Sequence, residues 1–305
     1  MKEFIVNEND SGQRIDKFIS KLMPQLPKSM MYKGMRKNCV KLNGKHIKDG
    51  SVFVHEGDEI ILYFRDKFFN IENEFKYVKP QLDIVYEDEN ILVVNKAVGI
   101  AVHAGDNVGK TTLIDMVQSY LYENGEYNPN GENTFKPSLC NRLDRNTGGL
   151  IIAAKNAAAL RSMNEAIREG RVHKYYLAVA EGYPQMQGRM QGYTVRHDKV
   201  TFVTEKKTAE SKSAMLDYRV LMQKDGYSLV EIRLYSGRTH QIRAQFAAAG
   251  YPLAGDTKYG GHGGQFRQAL WSIRLEFDFA EECVLEYLNN TVLKVNAPFE
   301  KYFEK

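Results

Sequence analysis

The strongest constraint on the fold is the distribution of apolar residues, which come in many short runs and no long one. The longest runs, such as Ile91 to Val94 and Gly149 to Ala154, are far too short to cross a membrane. Others alternate with polar residues, as in 214–220 and 230–234, which is typical of half-buried strands. Predicted strands outnumber helices, and hairpins outnumber strand–helix–strand crossovers. The chain therefore predicts an α+β fold with a mixed, mostly antiparallel sheet.

The composition excludes several classes of protein. Of the 305 residues, 43% are hydrophobic, which is too many for a disordered chain. The first eight residues reach acidic and amide side chains before the apolar region of a signal peptide can form. Cys39, Cys140 and Cys283 lie far apart, so we expect small buried thiols and no metal site. Together these features predict a soluble cytoplasmic protein that does not enter a membrane.

Positive charge is concentrated at the N-terminal end. Residues 1–50 contain 11 Lys and Arg against 5 Asp and Glu, whereas the rest of the chain contains 31 against 33. A basic module ahead of a nearly neutral body is typical of a protein that binds a polyanion at one end. A basic surface that only keeps the chain in solution would have the same composition, so charge alone leaves both interpretations open.

The basic N-terminal part has the patterns of a compact unit. Apolar residues at helical spacing predict a helix from Ile15 to Leu22, and Ser29 is a candidate cap for a second one. A strand then leads into the turn Asn43-Gly44, and residues 57–64 predict a further strand. We therefore predict a domain over residues 1–65, a polar linker over 66–80 and a second domain over 81–305.

The second domain alternates short strands with helices. We predict strands at 84–87, 91–95, 150–154, 172–180, 214–220, 230–234 and 270–277, and helices at 113–121, 157–168 and 240–249.

Two polar clusters interrupt the apolar pattern of this domain. The first, 141–149, places Asp144 between Arg142 and Arg145 directly before a buried strand. Neighbouring arginines favour the ionised carboxylate, which suits a nucleophile or a general base. An ion pair that only fixes a loop would look the same in the sequence, so both interpretations stay open.

The second cluster lies where a strand turns into a helix. It contains Arg238, His240 and Arg243, and a helix N-terminus is a natural site for a phosphate or a carboxylate, although a solvated turn would also fit. Between the clusters, strand alternation predicts that Lys174 and Tyr176 share one face of the sheet.

These motifs together resemble those of the RluA-type pseudouridine synthases. Residues 142–155 resemble the catalytic motif of that family, 95–103 its first motif, 174–176 its Lys/Tyr motif and 237–260 its last, in the family's order. Residues 1–65 resemble the small RNA-binding module shared with a small-subunit ribosomal protein, the S-four-like fold. The resemblance implies a pseudouridine synthase fold preceded by a small α/β RNA-binding domain.

The resemblance also implies an isomerase that converts uridine in RNA to its C-glycoside without a metal or a cofactor. It assigns the catalytic role to Asp144, which Arg243 would hold ionised, and it places Tyr176 against the uracil. Arg142 is a candidate for filling the gap left by the extruded base. The other implied RNA contacts are Arg145, Lys174, Arg238, His240, Arg14, Lys33, Arg36 and Lys37. The small module favours ribosomal RNA as the substrate, with transfer RNA as the alternative and a monomer as the default state.

Two departures and two alternatives accompany this prediction. Asn141 replaces the family's usual His and Gly148 its usual Ser, which puts the RNA target in doubt rather than the reaction. Residues 104–111 approach a phosphate-binding P-loop, although Ala104 replaces its first glycine, so a nucleotide triphosphatase is one alternative. A non-catalytic RNA-binding protein with the same fold is the other.

Overall fold

The computed structural model describes residues 1–69, 75–104, 111–279 and 282–304. Most of the P-loop-like segment 104–111 therefore lies outside the described residues. Within the described ranges, no helix is both long and apolar enough to cross a membrane.

The N-terminal unit is a small sheet packed against two helices. Its elements are β1 (Lys2–Ile5), β2 (Gln13–Arg14), α1 (Ile15–Leu22), α2 (Lys28–Arg36), β3 (Val40–Leu42), β4 (Lys45–His46), β5 (Phe53–Val54) and β6 (Glu59–Leu62). The main sheet has the order β1-β6-β3-β4, and every pair in it is antiparallel. The apolar stripe of α1 is buried against this sheet, as its spacing predicts.

Local turn chemistry explains the connections within this unit. Asn43 and Gly44 both have positive φ, 49° and 77°, which a tight two-residue hairpin turn requires. The predicted cap at Ser29 is wrong, because α2 begins one residue earlier with Pro27 as its N-cap. The Pro27 carbonyl already accepts a hydrogen bond from the Met31 N–H at 3.0 Å, so the first turn is closed before Ser29 could cap it.

The second domain is built around one large sheet. Its elements are β7 (Ile84–Glu87), β8 (Ile91–Lys96), α3 (Leu113–Glu123), β9 (Ser138–Leu139), β10 (Gly148–Ala154), α4 (Ala157–Glu169), β11 (Val172–Glu181), β12 (Gln187–His197), β13 (Val200–Thr204), β14 (Lys212–Lys224), β15 (Tyr227–Leu234), α5 (Gln241–Ala248), β16 (Leu270–Phe277) and β17 (Val292–Lys294). The order is β13-β12-β14-β15-β11-β16-β10-β8-β7, with β9 and β17 paired to β10 and β16. The β10–β16 pair is parallel, and the other strand pairs of this sheet in the described ranges are antiparallel. The predicted mixed, mostly antiparallel sheet is therefore confirmed.

Both faces of the central strands are buried. Leu92 and Val94 belong to the apolar cluster shared with α3 and α5, whereas Ile91 and Val93 belong to the cluster shared with α4. Burial on both sides explains why β8 and β10 are continuous apolar runs rather than alternating ones. The cysteines were expected to be buried, but all three are free and only partly covered.

A polar interface joins the two parts of the molecule. Asp10 is wholly buried and accepts hydrogen bonds from Asn133 Nδ2 at 2.8 Å and Thr134 Oγ1 at 2.5 Å. Asn9 Oδ1 accepts from the backbone N–H of Ala157, at the start of α4, at 2.9 Å. The N-terminal unit is therefore held against the loop before β9 and the first turn of α4.

Candidate active site

The two polar clusters of the sequence meet at one cleft of about 560 Å³. Its lining includes most of the residues singled out in the second domain, namely Arg142, Asp144, Lys174, Tyr176, Arg238, His240 and Arg243. Arg145 is not part of that lining among the described residues; its Nε donates to the Gly99 carbonyl at 2.9 Å.

The loop that carries Asp144 is fixed at its far end by β16. Gly149 has a φ of 107°, and a Cβ placed there would lie 2.1 Å from the Ser272 carbonyl oxygen. Gln268 Nε2 donates to Thr147 Oγ1 at 2.6 Å, and both side chains are buried. The loop therefore enters β10 in one defined geometry.

Arg243 connects two carboxylates. Its Nε and Nη2 donate to the two oxygens of Asp256 at 2.6 and 2.8 Å, which is the two-pronged geometry that a guanidinium favours. Its Nη1 donates to Asp144 Oδ2 at 2.7 Å. Because the Asp256 side chain is only 1% exposed, it fixes the guanidinium and leaves one nitrogen directed at Asp144.

The two carboxylates keep the Arg243 guanidinium charged in spite of its burial. Burial alone would lower the pKa of Arg243, but the hydrogen bonds to Asp256 and the charge of Asp144 outweigh it and raise that pKa. The interpretation that the neighbours Arg142 and Arg145 hold Asp144 ionised needs correction, because the arginine that contacts it comes from α5. Sequence reasoning also missed Asp256, although it lies in the Gly255–Gly260 motif.

His240 faces the same carboxylate. Its Nε2 lies 3.8 Å from Asp144 Oδ2, and its Nδ1 lies 2.9 Å from the Tyr259 hydroxyl. The Tyr259 hydroxyl also accepts from the Thr201 N–H at 2.9 Å, which fixes the tyrosine beside the imidazole. Burial lowers the pKa of His240 to about 4; the charge of Asp144 opposes this shift, and the charges of Arg243 and Lys258 add to it. His240 is therefore neutral near pH 7.

Lys174 and Tyr176 line the cleft from β11, on the shared face that alternation predicts. Tyr176 is 5% exposed, and burial followed by the charge of Asp144 raises the pKa of its phenol far above the usual range. Burial also lowers the pKa of Lys174.

Lys96 is a buried cation that sequence reasoning passed over. Its Nζ donates to the carbonyls of Ala97, Ile100 and Arg145 at 2.8, 3.1 and 3.2 Å. Burial lowers the pKa of Lys96 to about 8, whereas the charge of Asp144 acts to raise it. Lys96 thus joins the first motif to the Asp144 loop. Its position at the end of an apolar strand was the sequence feature that could have singled it out.

The two departures from the family pattern both have structural explanations. Asn141 Oδ1 accepts from the Ile152 N–H at 2.8 Å, and its Nδ2 donates to the Leu150 carbonyl at 3.3 Å, so it holds the chain against β10. A Cβ at Gly148 would lie 2.4 Å from the ring of Trp271. The indole therefore occupies the space that a side chain at 148 would need.

The predicted N-terminal RNA contacts lie away from the cleft lining. Lys33, Arg36 and Lys37 are exposed at the end of α2. Arg14 Nη2 pairs with Asp16 Oδ2 at 2.6 Å. The structure thus separates the cations near Asp144 from those of the N-terminal unit.

Comparison with known proteins finds matches in two parts of the chain. The RNA pseudouridylate synthase family matches residues 90–248, and the S4 domain matches residues 13–60. An uncharacterized RNA pseudouridine synthase of Mycoplasma capricolum is 31% identical over 97% of this chain and 98% of its own. Ribosomal large subunit pseudouridine synthase C of Salmonella typhi is 30% identical over 100% of this chain and 95% of its own.

A solved structure supports the fold. Human RNA pseudouridylate synthase domain containing 1 has a TM-score of 0.54 and 24% identity, over 73% of this chain and 94% of its own. The family match covers more than half of the chain, and the relatives align along almost all of it. The chain therefore belongs to the RNA pseudouridine synthases, of the RluA type with an N-terminal S4 domain, and it is an isomerase.

Proposed function

We propose that this enzyme converts uridines of large-subunit ribosomal RNA to pseudouridine, with Asp144 as the nucleophile. The observation that carries the proposal is the Asp256–Arg243–Asp144 chain, because it holds one carboxylate paired with a guanidinium in a cleft with Tyr176. The RNA class is supported by the names of relatives such as ribosomal large subunit pseudouridine synthase C, which align over nearly the whole chain.

The reaction requires a carbon–nitrogen bond to be exchanged for a carbon–carbon bond within one nucleotide. Asp144 adds to the uracil or to the ribose, the N1–C1′ bond breaks, the uracil turns, and C5 bonds to C1′. Asp144 then leaves, so the carboxylate is regenerated. Loss of the C5 proton returns the C–H electron pair to the ring as the C5–C6 double bond, and N1 takes up a proton.

Access to the base requires its extrusion from the RNA stack. Arg142 is exposed and lines the cleft, so it is placed to fill the space that the uracil leaves. Lys174, Arg238 and His240 line the same cleft and supply donors to the flanking nucleotides. Arg145 contributes positive charge just outside it.

The N-terminal part would bind RNA without reading its sequence. We assign residues 1–65 to the RNA-binding domain, 66–80 to the linker, of which 70–74 lie outside the described residues, and 81–305 to the catalytic domain. Arg14, Lys33, Arg36 and Lys37 would then contact phosphate, with an affinity that falls as salt rises. We expect the enzyme to act as a monomer, in the cytoplasm with its RNA.

Two measurements test the proposal. Tritium release from RNA labelled at uracil C5, with and without ATP, should be robust and independent of ATP. In a deletion strain, carbodiimide primer extension should show pseudouridines missing from large-subunit ribosomal RNA. Loss from transfer RNA would change the substrate, ATP-dependent activity would favour a nucleotide triphosphatase, and RNA binding without tritium release would favour a non-catalytic protein.

A further inference from the structure

Strand β16 lies between the strand that follows Asp144 and the strand that carries Tyr176. Its Ser272 is paired in parallel register with Gly149 on β10 and in antiparallel register with Tyr176 on β11. This strand also lies outside residues 90–248, which match the family. Ser272 therefore lies between Gly149, at the end of the Asp144 loop, and Tyr176, without belonging to a recognised motif.

The hydroxyl of Ser272 is buried and unsatisfied. The residue is 0% exposed, and within the described residues its Oγ makes no hydrogen bond of normal geometry, although it lies close enough to Tyr176 to act on the phenol. Buried hydroxyls are nearly always paired, because losing water without gaining a partner is costly. An unpaired one beside a reaction cleft suggests a bond that forms during the reaction.

A β-bulge determines what this hydroxyl faces. Tyr175 pairs with Arg274, so regular antiparallel register would place Ile273 opposite Tyr176; the bulge places Ser272 there instead. Directly opposed residues project from the same face of a sheet. The pKa of Tyr176 is raised by burial and by Asp144, and Ser272 is the neighbour that acts to lower it. That effect is expected of a donor close to the phenol oxygen.

We propose that Ser272 is a positioning residue for Tyr176, and that its hydroxyl donates a hydrogen bond to the phenol oxygen while Tyr176 removes the C5 proton. This inference rests on the proposed function. The phenol oxygen takes the proton from C5 while its own proton passes through water toward N1, so negative charge develops on this oxygen only during the transfer. The C5–H electron pair forms the C5–C6 double bond, and N1 takes up a proton. A donor is held more tightly by the phenolate than by the phenol, so it promotes this step.

The test compares two wholly buried serines in the full-length enzyme. Ser272→Ala should slow single-turnover tritium release by about tenfold, as expected when one hydrogen bond to a charged group is lost. The rate ratio between 5-protio and 5-deuterio RNA should rise, and the RNA dissociation constant should stay within about twofold of wild type, since the hydroxyl is buried. Ser228→Ala is the matched control, because its buried hydroxyl donates to the Gly182 carbonyl at 2.7 Å at the far end of β15. It should lower stability without changing the isotope effect.

A second background separates positioning from packing. In a Tyr176→Phe enzyme, the added Ser272→Ala change should cause no further loss of residual rate, because the phenol oxygen is already gone. An equal loss in both backgrounds, or a wild-type rate and isotope effect in Ser272→Ala, would overturn the inference. If Ser272→Ala does not fold, Ser272→Cys keeps a similar size with a weaker donor. Its isotope effect should rise above the wild-type value, and an unchanged isotope effect would overturn the inference. A wild-type enzyme that releases no tritium would instead refute the proposed function.

Discussion

The cleft and the basic face of α2 use positive charge in opposite ways. In the cleft, the Arg243 side chain is 7% exposed and its three nitrogens donate to two carboxylates at fixed distances. On α2, Lys33, Arg36 and Lys37 are exposed to solvent. Salt screens exposed charges strongly and buried pairs weakly. The rate of the chemical step should therefore change little with salt, whereas the affinity for RNA should fall as salt rises.

The largest effect should come from the nucleophile. Asp144→Asn and Asp144→Ala should bind RNA but lose at least about a thousandfold in tritium release, because neither side chain can add to the substrate. Asp217→Asn is a matched control, since this carboxylate forms a partly exposed pair with Arg189 at 2.6 Å. An Asp144→Asn enzyme with a tenth of the wild-type rate would show that the carboxylate is structural.

The next effect tests whether Arg243 acts by geometry. Arg243→Lys keeps the charge but cannot bind Asp256 with two prongs and still reach Asp144, so the single-turnover rate should fall on the order of a hundredfold. The loss should persist at saturating RNA and at every ionic strength. Arg189→Lys is the control for replacing a paired arginine by lysine elsewhere in the chain. Near-normal turnover with salt-sensitive binding would assign Arg243 to phosphate contact instead.

A smaller effect should appear on the other side of the comparison. Replacing Lys33, Arg36 and Lys37 together by Gln should leave the rate at saturating RNA unchanged but weaken binding of long RNA. The slope of log affinity against log salt should become shallower by roughly 2 if all three contact phosphate. Binding titrations between low and moderate salt measure this slope. An unchanged slope would show that α2 does not touch the RNA backbone.

The smallest effect concerns pH and stability. Folding lowers the pKa of His240 from 6.5 to about 4, so below pH 6.5 the unfolded chain binds a proton that the folded chain does not. Stability should therefore fall from pH 6.5 to about 4, on the order of 2 kcal/mol from this group, and no further below that. Urea unfolding of His240→Gln should show a weaker decline over this window. His197→Gln, at an exposed histidine, should behave as wild type.

Much of the architecture could be predicted because it depends on local patterns. The stripe of α1 and the continuous apolar runs of β8 and β10 encode burial directly, and the Asn43-Gly44 turn encodes a reversal of the chain. The edge strand β13 and its neighbour β12 were not predicted. Two glycines, Gly188 and Gly192, interrupt the apolar alternation of β12, so its place in the sheet depends on pairing with β14.

The site was predictable only in part, because several of its contacts join distant parts of the chain. Asp144 and Arg243 could be singled out as candidates, but the carboxylate that orients Arg243 is Asp256, which the sequence places in a glycine-rich segment. The bulge at Tyr175 and Tyr176 and the burial of Ser272 depend on which strands become neighbours. The interface of Asp10 with Asn133 and Thr134 likewise joins polar residues that carry no periodic signal.

The contact of Gly148 with Trp271 restricts how this enzyme can evolve. Trp271 is the only tryptophan in the chain, and a Cβ at position 148 would lie 2.4 Å from its ring. A serine at 148 therefore requires a much smaller residue at 271, and a chain with that smaller residue beside Gly148 carries a cavity that costs about 3–5 kcal/mol. Such a loss is a large fraction of the stability of an ordinary domain. The two positions should consequently change together among relatives, and chains with a bulky residue at both should be missing.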